Sequence, residues 1–303
     1  MDFNVSYVFP FLNPADPNWQ KKYKYAKGED YKDNCRFRDF SLLKYIFRSI
    51  ELYAPWIDDI FILVQSESQI PEFIRKEYSH LKIITHDQFI PKEYLPTFNS
   101  NTIEAFLHDI PGLPEHIIYG NDDLIFLNPA KKRDFFSQNG KRLFYAYKKR
   151  LNTTSPFTKL CARLYLTLNK EFKRKNDFLY IKQFHGSAVP LLVSEMKRCY
   201  SIFKEDILDS LTMFRNLEVN LNQYVYGTFN FLNGITDPIS LDHIGSYFSM
   251  DNFPNVKTLI RSLSVKESKM ACINDTDKMS QSDITEIYKF LEKKFPEKSR
   301  FEK

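Results

Sequence analysis

Between residues 5 and 123 short apolar runs alternate with stretches of helical spacing, and this alternation restricts the chain to an α/β fold. The run at 5–9 reads as a first strand, after which Pro10, Pro14 and Pro17 hold the chain in loop conformation. Over 39–53, Leu43, Ile46, Phe47, Ile50 and Tyr53 recur at helical spacing, and Pro55 ends the element. The β-branched runs at 60–64 and 81–85 read as buried strands on either side of a short helix near 71–78. Asn99 or Ser100 then caps a helix whose apolar face is Ile103, Phe106, Leu107 and Ile110, with Gly112 ending it. A strand at 116–119 runs straight into Gly120-Asn121-Asp122-Asp123. The expected fold is a Rossmann-like, mostly parallel sheet flanked by helices, in which ligands bind beyond the C-terminal strand ends.

After residue 140 the pattern weakens into a more helical C-terminal half: a strand at 144–147, a basic helix at 159–175, and helices at 191–208 and 284–295. No repeat or long linker interrupts it, so one domain is expected over 1–303, with parts at 1–130, 141–182 and 183–303.

Only 8 glycines are present, which leaves little with which to build a glycine-rich phosphate cradle. Phosphate chemistry would then lean on metal, Arg and Lys. Cys35, Cys161, Cys199 and Cys272 form no CxxC pair, arguing against zinc or a disulfide framework and for a reducing cytoplasm. Residues 1–19 lack the features of a signal peptide, and no stretch has the ~18 apolar residues of a membrane span. The net charge of +5 is uneven: 141–182 holds 12 basic residues against Glu171 and Asp177. With Phe157, Leu160, Leu164, Tyr165, Leu168 and Phe172 among its charges, this stretch suits an anionic membrane surface or a lipid-linked acceptor. A merely solvated face and RNA binding are the other readings.

Asn121-Asp122-Asp123 after an apolar strand offers hard oxygen ligands for Mg²⁺ or Mn²⁺ bridging a diphosphate. His185, in Gln183-Phe184-His185-Gly186, suits a general base, and Arg215, in Met213-Phe214-Arg215-Asn216, suits a fork onto phosphate. Taken singly, each has a plainer reading: a turn or cap for the Asn-Asp run, a structural histidine, a surface ion pair.

Four separated blocks together resemble the Stealth family of sugar-phosphate transferases, which includes bacterial capsule polymerases and the lysosomal-enzyme GlcNAc-1-phosphotransferase. The first spans 5–19 and contains the loop Asp16-Pro17-Asn18-Trp19, with Ser6 where an Asp is usual. The second, over 36–129, contains Arg36-Phe37-Arg38-Asp39, Arg48-Ser49-Ile50, Leu95-Pro96-Thr97-Phe98-Asn99 and Ile118-Tyr119-Gly120-Asn121-Asp122-Asp123. The third runs from His185 to about Gly234, and the fourth is Cys272-Ile273-Asn274-Asp275.

The resemblance implies that Asp123 and Asp275 hold the metal, that Glu104, His185 and Arg215 line the reacting centre, and that Asn13 and Asp16 help hold a nucleotide sugar. Arg38, Arg48, Asn99, Asn121 and Asp122 join them as expected substrate contacts. In this reading 1–130 carries the donor and metal sites, 141–182 is a variable basic insert, and 183–303 completes the active site. The implied reaction moves a hexose- or N-acetylhexosamine-1-phosphate from a UDP-sugar to a glycan hydroxyl with Mg²⁺ or Mn²⁺, forming a phosphodiester and releasing UMP. The acceptor is expected to be lipid-linked and the protein cytoplasmic, with peripheral membrane contact through 141–182; nucleic acid is not an expected partner. The rivals are a metal-dependent glycosyltransferase releasing UDP and a non-catalytic basic binding module.

Overall fold

Strand β1 (Val5–Pro10) is apolar on both faces, as the centre of a covered parallel sheet requires. β2 (Asp59–Val64) pairs parallel with one of its edges, Tyr7 opposite Ile60, and β3 (Leu81–Thr85) extends the sheet from β2. β4 (His116–Tyr119) pairs parallel with the other edge of β1, Tyr7 opposite Ile118. These facts come from a computed structural model that describes residues 1–32, 35, 37–38, 42–150, 167, 179–183, 186–215, 225–233, 238–239 and 244–303.

Side chains alternate between the two faces, as the pleat dictates. Tyr7, Phe9, Ile60 and Ile62 enter one core, and Val8, Phe61 and Leu63 enter another. Helix α1 (Pro17–Lys27) follows β1, with Asp16 as N-cap and Pro17 within its first turn. Pro17 therefore opens a helix where loop was expected, because an N-terminal helical position needs no N–H. Helix α2 (Leu43–Tyr53) buries Leu43, Ile46, Phe47 and Ile50 in the first core, about 1.5–3 kcal/mol for each such side chain. α3 (Ser100–Ala105) packs Ile103 into the second core and gives way to a 3-10 turn, Leu107–Asp109, earlier than the expected end near 110. No helix forms at 71–78; that segment is turns, preceded by a 3-10 turn at Glu67–Gln69.

Beyond Asp123 the chain leaves the main sheet. β5 (Leu124–Phe126) is held to α2 by the Phe126 amide, which donates to Ser49 Oγ at 3.1 Å. β6 (Phe144–Arg150) and β7 (Leu179–Gln183) pair antiparallel, and the expected basic helix at 159–175 lies outside the described residues apart from Thr167. β8 (Val189–Leu192) closes the main sheet antiparallel to β4, giving the order β3-β2-β1-β4-β8. The helix expected at 191–208 is thus the end of β8 followed by α4 (Val193–Asp209). α5 (Tyr226–Leu232) packs with α4 in the second core. β9 (Pro238–Ile239) pairs with β6. β10 (Gly245–Ser249), α6 (Val256–Val265), β11 (Met270–Asn274) and α7 (Gln281–Lys294) complete the described elements. The C-terminal half is therefore mixed, its strands β10 and β11 joining β5 in the order β10-β11-β5.

Arg142, counted with the basic stretch, is fully buried, paired with Glu195 at 3.1 Å and donating to the carbonyls of Pro190 and Tyr226. It ties β8 and α5 together instead of facing solvent.

Candidate active site

The C-terminal ends of β1 to β4 open on one cleft of about 470 Å³, lined by Pro10 and Phe11 from β1, Gln65 beyond β2, His86 beyond β3 and Asn121 beyond β4. This is where a parallel sheet exposes its strand ends to ligands.

The link from β4 to β5 sets the acidic wall. The Gly120 amide donates to the Val8 carbonyl at 2.8 Å, prolonging the sheet by one residue. A Cβ on Gly120 would lie 2.0 Å from the Tyr7 hydroxyl, so only glycine passes there. Asn121, Asp122 and Asp123 then line the cleft.

Asp123 is fixed from β11. Its carbonyl accepts from the Ile273 amide at 2.9 Å, and its Oδ2 accepts from Cys272 Sγ at 3.0 Å. Oδ1 is buried with no hydrogen-bond partner in the protein. Burial holds the Asp123 carboxyl above the usual range, opposed by the thiol and backbone hydrogen bonds.

Asp275 follows β11 into the same cleft. Arg38 grips both its oxygens, Nε to Oδ2 at 2.6 Å and Nη2 to Oδ1 at 2.5 Å, and also reaches the carbonyls of Thr276 and Met279. Both expected metal-site carboxylates line one cleft, then, but Asp275 already carries a guanidinium partner.

Asn99 lines the cleft as N-cap of α3, accepting from the Asn101 amide and donating to Thr212. Arg215 lines it beside Phe214, whose ring stacks on Phe98 with centroids 5.2 Å apart. Four other expected site residues lie elsewhere. Glu104 is buried on α3, outside the lining of the cleft. Asn13 accepts from the Ala15 amide, and Asp16 caps α1 and accepts from Ser68; both shape the loop after β1 without lining the cleft. Arg48 is buried, forking onto Glu302 and donating to the Phe295 carbonyl. It anchors α2 to the segment after α7, because an ion so buried needs its full set of partners. His185 lies outside the described residues.

The cleft also holds residues that sequence reasoning passed over: Gln65, Gln69 and His86. Gln65 and His86 directly follow strands read correctly, a positional signal that was available.

The oxygen donors Asn121, Asp122, Asp123 and Asn274 fit Mg²⁺ or Mn²⁺ in kind, and Asp123 Oδ1 is a buried acceptor with nothing to accept. Among the described residues no group of three or more His, Cys, Asp or Glu could hold a metal ion.

Residues 36–144 match the family model described as Stealth protein CR2, conserved region 2. The capsular polysaccharide phosphotransferase fcs1 of Haemophilus influenzae is 34% identical over 291 residues, covering 90% of this chain and 78% of its own. WcwK of Streptococcus pneumoniae, also a capsular polysaccharide phosphotransferase, is 31% identical and covers 99% of both chains. The exopolysaccharide phosphotransferase cps2G of Lactiplantibacillus plantarum is 25% identical, covering 99% of this chain and 97% of its own.

Proposed function

Because the chain belongs to the Stealth family of bacterial sugar phosphotransferases, we propose that it moves a hexose- or N-acetylhexosamine-1-phosphate from a UDP-sugar to a glycan hydroxyl in capsule or exopolysaccharide synthesis. As a transferase it is an enzyme, and the non-catalytic basic module drops away. The observation that carries the reading is that Asp123, after β4, and Asp275, after β11, line one cleft with Arg215 at the strand ends.

In this mechanism the acceptor oxygen bonds to the β-phosphorus of the donor while the bond from that phosphorus to the bridging oxygen of UMP breaks. The anomeric C–O bond is never cut, so configuration is retained and the product is a phosphodiester. Mg²⁺, held by Asp122 and Asp123 with Asn121 beside them, would supply charge neutralisation on the phosphate oxygens. Arg215 adds a guanidinium fork to the same charge. Arg38 acts through Asp275, fixing that carboxylate so that it cannot swing away. His185 takes the acceptor proton. The basic residues of 141–182 other than buried Arg142 would meet a lipid-linked acceptor at the inner surface of the membrane. Among the described residues no helix is long and apolar enough to cross one.

The test is to incubate purified protein with a panel of UDP-sugars and Mg²⁺, with and without lipid-linked acceptor, and to identify the nucleotide released. UMP supports phosphoryl transfer; UDP in its place means attack at the sugar carbon and an ordinary glycosyltransferase.

A further inference from the structure

Three side chains in the cleft keep hydrogen-bonding atoms with no partner in the protein. They are Gln65, through both amide atoms, Gln69, through Nε2, and His86, through both ring nitrogens. All are buried, 9%, 1% and 6% exposed. An unmet buried polar atom costs roughly 1–3 kcal/mol, so five in one place mark a surface shaped for a ligand. Their placement is fixed. Gln65 directly follows β2, and its amide N–H donates to Gln69 Oε1 at 3.0 Å, which leaves the Gln69 NH₂ as a donor. His86 directly follows β3.

These residues sit at one end of the row of strand ends, and Asn121 to Asp123 sit at the other. In the order β3-β2-β1-β4, His86 is three strand spacings from the end of β4, about 14 Å at the usual interval. That separation suits a ligand with a hydrogen-bonding head joined by a spacer to an anionic tail, as a base is joined to a pyrophosphate through ribose.

Granted the nucleotide-sugar donor proposed above, we infer that Gln65, Gln69 and His86 form the subsite that reads the edge of the donor's pyrimidine base. Uracil presents acceptor, donor and acceptor along O4, N3–H and O2. The Gln65 amide answers one donor–acceptor pair, the Gln69 NH₂ supplies a further donor, and a neutral imidazole carries one of each. Burial, with the Lys22 charge next, holds His86 down at about 4, so the ring is uncharged near neutrality. Recognition here is by the pattern of donors and acceptors, with the charge contacts left to the far end of the cleft.

The experiment is calorimetric titration of the intact protein with UDP, CDP, ADP, GDP and inorganic pyrophosphate in Mg²⁺, for wild type, Gln65→Leu and His86→Leu. Each substitution is expected to weaken UDP about tenfold or more, as one or two lost hydrogen bonds to a buried site do, while pyrophosphate binding stays within twofold. The ligand-free melting temperature should hold or rise, because an apolar side chain replaces an unmet polar one; a packing role predicts the reverse. Gln65→Met keeps the length and removes both hydrogen-bonding atoms without adding charge, so it reads the same contact should a leucine variant fail to fold. UDP affinity unchanged in the variants overturns the subsite while leaving the donor reading intact, and ADP or GDP binding as tightly as UDP overturns the pyrimidine assignment. A wild type that binds no nucleoside diphosphate and turns over no UDP-sugar removes the donor reading itself.

Discussion

The Cys272 thiol donates to Asp123 Oδ2 at 3.0 Å, joining two residues 149 positions apart in the sequence. The contact leaves one carboxylate oxygen held and the other, Oδ1, without a protein partner. Asp123→Asn preserves the shape but removes the charge, so turnover should fall about 10²–10³-fold, the range for losing one electrostatic contact in an active site. Steady-state kinetics with a melting curve check this, and a variant with near wild-type rate would remove Asp123 from the chemistry.

The Arg38–Asp275 pair is largely buried, its side chains 22% and 9% exposed. Arg38→Lys cannot make the two-pronged contact, and Asp275→Asn cannot hold the guanidinium charge. Each single change should lower activity at least tenfold. A double-mutant cycle on stability should return a coupling of about 1.5–3 kcal/mol, the worth of charge-assisted hydrogen bonds. Additive effects would mean that the pair is incidental.

Acid should loosen the clamp between α2 and the segment after α7. Burial pushes the Glu302 carboxyl up, but hydrogen bonds from Arg48 and Ser299 outweigh it and hold the group below the ordinary 4.5. A depressed folded value means that this stability is fully present above about pH 4.5 and drains away as pH falls through the folded value. Glu302→Gln should flatten that acid limb in denaturant titrations. At neutral pH it should cost roughly 3 kcal/mol, because buried Arg48 keeps only the more distant Glu292, at 3.5 Å, as counter-ion.

Gly120→Ala should be poorly tolerated, since the new methyl would sit 2.0 Å from Tyr7 Oη and 2.6 Å from Cζ. The expected cost is about 1–3 kcal/mol with a larger loss of activity, because relief must shift the link that carries Asp123. Tyr7 Oη has no hydrogen-bond partner, so Tyr7→Phe alone should be nearly neutral and should recover part of the loss in the double variant. Thermal melts of the three proteins decide it.

The sheet was readable because β1, β2 and β4 are apolar on both faces and α2 has a clean helical stripe. α1 was missed because Pro17 breaks a helix interior but suits a helix start, and the sequence does not say which position it holds. Asp122 and Asp123 were legible from the strand before them. The partnership of Arg38 with Asp275, 237 residues apart, is set only by the packing of β11 against β5, and no local pattern announces it. The burial of Arg48 against Glu302 was illegible for the same reason, since that partner lies 254 residues away. His86 and Gln65 were skipped because an isolated polar residue after a strand looks like loop until its surroundings are known to be dry.

The cleft draws one wall from β1 to β4 and the other from β11, and this fixes an order of events during synthesis. The four parallel strands have all emerged by residue 119 and can begin to condense as a unit, but Asp123 lacks its thiol, and the cleft its third carboxylate, until residues 272 to 275 arrive. A chain still on the ribosome would therefore own the strand-end hollow without its full acidic wall, a built-in delay before the site is complete.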